Sequence, residues 1–119
     1  MTFPTINYKY NNIEGAEQLA DIMDKKLESL GRFTPEGVAS MCEVEFEKIG
    51  AQNHGRIYRV EANLTIDGVL YRAEATEEAF EKAIDEVRRE LDKELRRAKD
   101  KQDSLLKRAG RSVKELFRS

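Results

Sequence analysis

The sequence predicts an α+β domain with the element order β-α-β-β-β-α, in which both helices cover one face of a four-stranded sheet. Three observations predict this fold. Apolar and polar residues alternate in three stretches between residues 42 and 75, which indicates half-exposed strands. The pair Asp67-Gly68 between two of these stretches is typical of a two-residue hairpin turn. Two other stretches repeat apolar residues at three- and four-residue steps, which indicates amphipathic helices.

The first strand and the first helix follow from local residue chemistry. Aromatic and branched residues from Phe3 to Tyr10 favour extended backbone. The side chains of Asn11 and Asn12 suit a turn and a helix N-cap. A helix is predicted from about Glu14 to Leu30, with Gly31 as its C-terminal stop. Its apolar stripe consists of Ala16, Leu19, Ala20, Met23, Leu27 and Leu30.

The three later strands are predicted to form a meander. A turn at Asp67-Gly68 pairs Ile66 with Val69, and this register keeps the apolar residues of both strands on one face. The alternation on both sides of the turn agrees with it. The predicted inward residues are Cys42, Val44, Phe46, Tyr58, Val60, Ala62, Leu64, Ile66, Val69, Tyr71, Ala73 and Ala75.

The last helix is predicted to be the longest element. Thr76 is its predicted N-cap, with Glu77 and Glu78 at the positive end of the helix dipole. No glycine or proline interrupts the pattern before Gly110. We expect a domain over residues 1–101 and a basic amphipathic tail over residues 102–119. The apolar residues of the helix and the tail are Phe80, Ala83, Ile84, Val87, Leu91, Leu95, Ala98, Leu105, Leu106, Ala109, Val113, Leu116 and Phe117.

Composition limits the class of protein. The 119 residues are enough for one domain, and charged residues make up 37% of them. The formal net charge is -2, which argues against indiscriminate nucleic-acid binding unless the two signs are segregated. A single cysteine, Cys42, fits a reducing compartment. The N-terminus has no signal-peptide pattern, and no apolar run reaches membrane-spanning length. We therefore expect a soluble, cytoplasmic protein.

Enzyme chemistry finds little support in the sequence. His54 is the only histidine, so no metal cluster can form around it with a second histidine or cysteine. Cys42 lies on a predicted inward face and is interpreted as a structural thiol. Glu43, Glu45 and Glu47 share one strand face and are interpreted as a solvated surface. We predict that the protein is not an enzyme and needs no metal or cofactor.

The polar side of the last helix carries a band of basic residues. At about 100° per residue, five of them project within about 60° of one direction, nearly opposite the apolar stripe. Three more widen the band, which is long enough to follow several phosphates. The five are Lys82, Arg89, Lys93, Arg96 and Arg97; the three are Arg88, Lys99 and Lys101.

An ordinary ion-paired helix face is the alternative interpretation. Glu86 and Asp100 interrupt the basic band, and several acids precede basic residues at helix ion-pair spacing. From composition alone this interpretation is favoured. Arg56 and Arg59 either extend the basic surface or are exposed strand charges, and the residues leave both options open.

Four segments together carry a family resemblance: Lys25 to Phe33, Ala73 to Glu78, Phe80 to Asp85, and Val87 to Leu95. In their order and spacing they resemble the ribosome hibernation factors, also called ribosome-associated inhibitor or sigma-54 modulation proteins. The resemblance covers residues 3 to 101. It implies the same β-α-β-β-β-α fold, which is related to double-stranded RNA-binding domains.

The resemblance also implies a function. Members of this family bind the small ribosomal subunit in the channel for messenger and transfer RNA, and they block translation during stress or stationary phase. The present chain resembles a short form with an added tail, and we expect it to be monomeric when free. The family's RNA contacts, carried onto matching positions, are Lys25, Lys26, Arg32, Lys82, Arg89, Lys93, Arg96 and Arg97.

Two other functions stay open at this point. The chain can be a protein-interaction module that assembles through the apolar residues from Leu105 to Phe117. It can also be a general binder of double-stranded RNA, with no preference for ribosomes. The sequence does not decide the role of the tail or the effect on ribosome pairing.

Overall fold

The computed structural model describes residues 3–51 and 54–116, with the side chains of the last helix described as far as residue 108. It confirms the α+β class and the predicted element order. A 3₁₀ turn over Ser29–Phe33 follows the first helix. The strands and helices are β1 (Ile6–Asn11), α1 (Glu17–Glu28), β2 (Ser40–Lys48), β3 (Tyr58–Ile66), β4 (Val69–Glu77) and α2 (Phe80–Leu116).

The four strands form one sheet in chain order, β1-β2-β3-β4. Strands β1 and β2 are parallel because α1 carries the chain back across the sheet between them, whereas the other pairs are antiparallel. Asp67 and Gly68 both have positive φ, at 50° and 82°, as a type I′ hairpin turn requires. The predicted pairing of Ile66 with Val69 is confirmed.

The hydrophobic core lies between one face of the sheet and the two helices. Most predicted inward residues are buried there, and β2 and β3 supply six of them with exposures of 0–1%. Val69 is an exception, since it is 53% exposed at the hairpin end, where β4 begins. The buried apolar residues of the helix layer are Met23, Leu27, Leu30, Ala83, Ile84, Val87, Leu91 and Leu95.

Helix α1 begins later than predicted. Gly15 has a φ of +63°, a left-handed conformation that no helix residue adopts, so the helix cannot start at Glu14. Ala16 occupies the N-cap position and makes no side-chain cap. Asn12 instead donates its side-chain amide to the carbonyl oxygens of Lys48 (2.9 Å) and Gly50 (3.1 Å). The predicted asparagine cap is therefore wrong, because this side chain fixes the loop after β2.

Gly31 does not end α1 as predicted. The helix tightens into the 3₁₀ turn at Ser29, and Gly31 is buried within that turn. The carbonyl oxygen of Lys26 accepts a hydrogen bond from Arg88 Nε at 3.1 Å, and Arg88 Nη2 donates to Ser29 Oγ at 2.8 Å. The guanidinium of Arg88, on α2, thus donates hydrogen bonds at the C-terminal end of α1. A glycine in the left-handed conformation was expected to end the helix there.

The predicted N-cap of α2 is also wrong. Thr76 lies within β4, opposite Arg59, and the helix begins at Phe80. The strand ladder continues past Thr76 because β3 still has backbone groups to pair there. At the other end of the sheet, β1 begins at Ile6, and Phe3 packs against the core before the strand starts.

Helix α2 passes the predicted division at Lys101 without a break and continues to Leu116. Leu95 is the last buried residue among the side chains described for this helix, and every side chain from Lys99 to Arg108 is exposed. We call residues 99–116 the C-terminal extension. The side chains of Ala109, Val113 and Leu116, and all of Phe117, lie outside the described part of the chain. Within that part, no helix has the length and apolar character needed to cross a membrane.

Phe46 is the residue whose truncation tests the core most directly. Its ring is fully buried, stacks on Tyr8 and Tyr10 with centroids 5.8 and 5.7 Å away, and meets the edge of Phe80 at 5.9 Å. We predict that Phe46→Ala lowers the free energy of unfolding by about 3–5 kcal/mol, measured by urea denaturation. Ile49→Ala, at a position 45% exposed, serves as the control and changes it by about 0.5 kcal/mol or less. Equal effects of the two substitutions would contradict this account of the core.

Candidate nucleic-acid interface

All eight predicted contact residues are exposed and lie on α1, the 3₁₀ turn or α2. We call this set the helix surface. The structure divides it into three groups by the partners of each cation. One group joins α1 and the 3₁₀ turn to α2, a second group lies unpaired, and a third is paired within α2 or with the end of β4. The helix surface consists of Lys25, Lys26, Arg32, Lys82, Arg89, Lys93, Arg96 and Arg97.

The first group meets at two aspartates of α2. Lys26 Nζ lies 2.9 Å from Asp85 Oδ1. Asp92 Oδ1 holds two cations, with Arg32 Nη2 at 3.3 Å and Arg96 Nε at 3.0 Å. Burial alone raises the pKa of Asp92, but hydrogen bonds and charge from the two arginines outweigh it and the pKa lies below its usual value. Asp92 therefore stays ionised and holds the two arginines side by side.

The second group makes no close ion pair with any described side chain. Lys25, Arg89 and Lys93 each lie two residues from a buried residue on either side, so each points away from the sheet. Among the described side chains none of the three makes an ion pair. These cations are therefore available to an anionic ligand without breaking a bond inside the protein.

The third group lies toward the edges of the helix surface. Lys82 Nζ is 3.6 Å from Glu77 Oε1, and Arg97 Nη1 is 3.6 Å from Glu94 Oε1. Glu86, which interrupts the basic band, lies beside Glu77. A hydrogen bond to the Glu77 carboxylate raises the pKa of Glu86, so Glu86 takes up a proton more readily than an isolated glutamate.

A shallow cleft of about 270 Å³ lies where the 3₁₀ turn meets α2. Arg32, Arg96 and Lys99 line it together with Phe33, and the guanidinium of Arg32 lies 4.7 Å from the centre of the Phe33 ring. Two acids, Asp100 and Asp103, also line the cleft. The cleft thus has three cations against two carboxylates, and a guanidinium can bind a phosphate group through two hydrogen bonds.

The sheet face away from the helices is a second charged surface, which we call the open sheet face. Strand pairing arranges it in rows across the sheet. The first row, nearest the hairpin, is apolar at both ends, and the third holds three neighbouring glutamates. The rows are Met41, Thr65 and Leu70; Asn7, Glu43, Asn63 and Arg72; Lys9, Glu45, Glu61 and Glu74; and Asn11, Glu47, Arg59 and Thr76.

Arg59 contacts every member of the row of glutamates, while Lys9 also pairs with Glu45 and Arg72 with Glu61 and Glu74. The Arg59 guanidinium lies 3.0 Å from Glu45 Oε1 and 3.0 Å from Glu74 Oε1, and it also donates to Glu61 Oε2. The hydrogen bond from Arg59 holds the pKa of Glu74 below its usual value; for Glu61, burial acts in the opposite sense and is outweighed. Glu47 Oε1 lies 3.5 Å from the same guanidinium.

This arrangement answers the open question about the strand charges. Arg59 is only 15% exposed and lies on the sheet face opposite the helices, so it neither extends the helix surface nor is an exposed strand charge. Glu45 and Glu47 are ion-paired and half-buried, whereas Glu43 is exposed as predicted. Sequence spacing gives no signal for this cluster, because its members come from three strands.

Cys42 and His54 are the two residues that were considered for enzyme chemistry. Cys42 is buried beneath the helices, and burial raises the pKa of its thiol to about 12. That finding confirms the prediction of a structural cysteine. His54 lies exposed in the loop before β3. No group of three metal-ligating residues comes together in the described ranges 3–51 and 54–116.

Two solved structures share the fold. The N-terminal domain of Protein Y from Thermus thermophilus matches with a TM-score of 0.64 at 24% identity, covering 79% of this chain and 98% of that domain. A ribosomal subunit interface protein from Coxiella burnetii matches with a TM-score of 0.62 at 20% identity, covering 80% and 97%. At these identities the likeness establishes the fold alone. No curated protein sequence gives a significant match.

The family is established by the sequence itself. The model of the family described as "Sigma 54 modulation protein / S30EA ribosomal protein" matches residues 6–103. The chain belongs to this family, which confirms the resemblance noted in its sequence. It is a family of ribosome-associated modulation proteins and not an enzyme class.

The charge cluster around Arg59 leads to a prediction about stability and pH. We expect Arg59→Ala to lower the free energy of unfolding by roughly 1–3 kcal/mol at neutral pH, because the glutamates lose their shared partner. In the native protein the lowered pKa values of Glu61 and Glu74 stabilise the fold at neutral pH, and this contribution is lost as the pH falls through those values. The loss caused by the substitution should therefore shrink toward acidic pH.

Urea denaturation of both proteins across a pH series measures this difference. Arg56→Ala is the matched control, since Arg56 is exposed and lies 3.9 Å from its nearest carboxylate. An effect of Arg59→Ala that is independent of pH, or no larger than that of the control, would count against the role given to Arg59.

Proposed function

We propose that the protein is a ribosome hibernation factor that binds the small ribosomal subunit in the channel for messenger and transfer RNA and inhibits translation under stress. One observation carries the proposal. The outer side of the helix layer presents Lys25, Arg89 and Lys93 without ion-pair partners among the described side chains. Membership in a ribosome-associated family makes ribosomal RNA the polyanion for which these cations are suited.

The distribution of charge supports this assignment of faces. On the open sheet face the described strands place five glutamates against three cations, and Arg59 is already bound by its neighbours. Phosphates would be repelled there. On the helix surface the unpaired cations and the cleft at Arg32 and Arg96 lie on the same side of the sheet. The chain's net charge of -2 is thus compatible with RNA binding through one face.

The eight residues of the helix surface contribute to RNA binding in different ways. Lys25, Arg89 and Lys93 bind phosphates directly. Arg32 and Arg96 bind through the cleft, where Asp92 holds their guanidinium groups before the RNA arrives, so less side-chain entropy is lost on binding. Lys26, Lys82 and Arg97 exchange weak ion pairs for phosphate contacts at the margin of the interface.

Inhibition follows from occupancy and needs no chemical step. The molecule measures 26 Å by 20 Å across its long axis, so RNA cannot enter the volume that the bound domain fills. Ribosomes held in this way stay idle until the factor leaves. A ribosomal partner also supports the expectation of a cytoplasmic protein.

Charge reversal on the helix surface tests the interface. We predict that the double variant Arg89→Glu and Lys93→Glu abolishes co-sedimentation with small subunits near physiological salt. Log affinity decreases as log salt increases. At low salt, where binding can be measured, the steepness of this decrease should become smaller by about one for each lost phosphate contact. Circular dichroism should be unchanged, because both side chains are exposed.

A matched control makes the result specific. The double variant Lys9→Glu and Arg56→Glu changes the net charge by the same amount at exposed positions away from the helix surface. It should keep most of the affinity. If both double variants lose binding equally, only net charge matters and the proposed interface is wrong. Retained binding by the Arg89 and Lys93 variant would show that this helix face is merely solvated.

Competition tests the proposed place of binding. Small subunits preloaded with messenger RNA and initiator transfer RNA should retain less of the protein than empty subunits. The protein should also inhibit a purified translation system in proportion to its occupancy of the subunits. Simultaneous binding of both ligands would contradict steric occlusion in the channel. Equal affinity for an arbitrary RNA duplex would favour the general RNA binder instead.

A further inference from the structure

Two surfaces of the molecule have no role in the proposed ribosome contact. One is the first row of the open sheet face, where Met41 and Leu70 are each more than half exposed on either side of Thr65. The other is the part of the C-terminal extension beyond the cleft, where Leu105 and Leu106 are each more than half exposed. We propose that these surfaces bind each other between two copies of the chain, with the extension of each copy lying across the open sheet face of its partner.

Charge complementarity selects this pairing. Lys101 lies four residues before Leu105 and Arg108 three residues after it, so both cations flank the leucine on one side of the helix. Neither makes an ion pair among the described side chains. On the open sheet face the next row places the exposed carboxylate of Glu43 beside Met41 and the guanidinium of Arg72 beside Leu70, where Arg72 is paired with Glu61 and Glu74. An apolar stripe flanked by cations therefore meets an apolar row that has the carboxylate of Glu43 on one flank.

The path of α2 brings the two surfaces to the same end of the molecule. Strand β4 runs from the hairpin for about 30 Å at about 3.3 Å per residue. Helix α2 starts just beyond the far end of β4 and returns along the sheet at about 1.5 Å per residue, so it passes the hairpin near residue 100. The change from buried to exposed side chains between Leu95 and Lys99 agrees with this estimate.

The same path excludes binding within one molecule. Helix α2 lies on the core side of the sheet and continues as one helix to Leu116, leading away from the domain. Leu105 cannot reach the opposite face of its own sheet unless this helix breaks. A second copy that approaches hairpin to hairpin has no such obstacle. If the two copies are related by a two-fold axis, the extension of each copy contacts the open sheet face of the other.

The lengths of the two surfaces also agree. The 18 residues of the extension span about 27 Å, close to the length of a nine-residue strand. The extension continues a packed helix, but its described side chains are all exposed, and the apolar ones among them lack a packing surface. The proposed contact supplies that packing. It replaces the expectation of a free monomer, and it does not depend on ribosome binding.

Two variants test the proposal on the full chain without ribosomes. The helix variant, Leu105→Glu with Leu106→Glu, places acids opposite the glutamates of the partner's sheet. The face variant, Met41→Lys with Leu70→Lys, places cations opposite Lys101 and Arg108. Sedimentation velocity from about 1 µM to about 1 mM should show a reversible dimer for the unmodified chain. Each variant should raise its dissociation constant by about tenfold or more.

Mixing the two variants gives the decisive experiment. A mixed dimer joins the unmodified extension of one copy to the unmodified face of the other, and its second contact pairs acids with lysines. The mixture should therefore dimerise more strongly than either variant alone. Ile49→Lys, at an exposed position near the opposite end of β2, is the control and should leave the dissociation constant unchanged.

Several results would overturn the proposal. A monomer at every concentration would do so. A face variant that dimerises normally while the helix variant does not would indicate pairing between two extensions. A mixture no stronger than its components would exclude the reciprocal contact. If the chain is monomeric but the face variant loses ribosome binding, the open sheet face serves a ribosomal partner. Circular dichroism and urea denaturation establish that each variant is folded.

Discussion

The structure depends on a sheet that is covered by helices on one face only. Strand residues alternate between the two faces, so covering one face with α1 and α2 forces every second residue to face solvent. The apolar set packs beneath the helices and the charged set is collected on the other side. Apolar and charged residues that alternate along the strands are thereby separated in space. A chain with a net charge of -2 can in this way have two faces of different electrostatic character.

This separation has an internal cost that the structure offsets locally. Strand pairing places Glu45, Glu61 and Glu74 side by side, and like charges directly opposite each other destabilise a sheet. Arg59 reaches across from the neighbouring row and binds all three. On the helix layer the order is reversed, since the aspartate Asp92 organises two arginines from different elements. At each site one charged side chain holds two or more side chains of the opposite charge in place.

The elements and the register were predictable from sequence because they follow from periods that a single chain displays. Alternation with a type I′ turn sets the β3–β4 pairing, and helical spacing sets the buried stripe of α2. The helix ends were not predictable in the same way. Thr76 has a side chain suited to a helix N-cap but is paired within the sheet. At the end of α1, a hydrogen bond from Arg88 pairs a terminal carbonyl group, which was expected of Gly31. The three unpaired cations among the eight predicted contacts became distinguishable only once tertiary pairs such as Arg32–Asp92 were visible.

Cys42 has a practical consequence for studying the motions of this fold. It is the chain's only cysteine, it lies beneath the helix layer, and its raised pKa keeps it in the unreactive thiol form. A thiol reagent can modify it only when the helices lift from the sheet. The rate of modification under native conditions therefore reports how often the core opens, without any denaturant. A ligand held by both helices at once would slow that opening, whereas a ligand on the open sheet face alone would leave the helices free to lift.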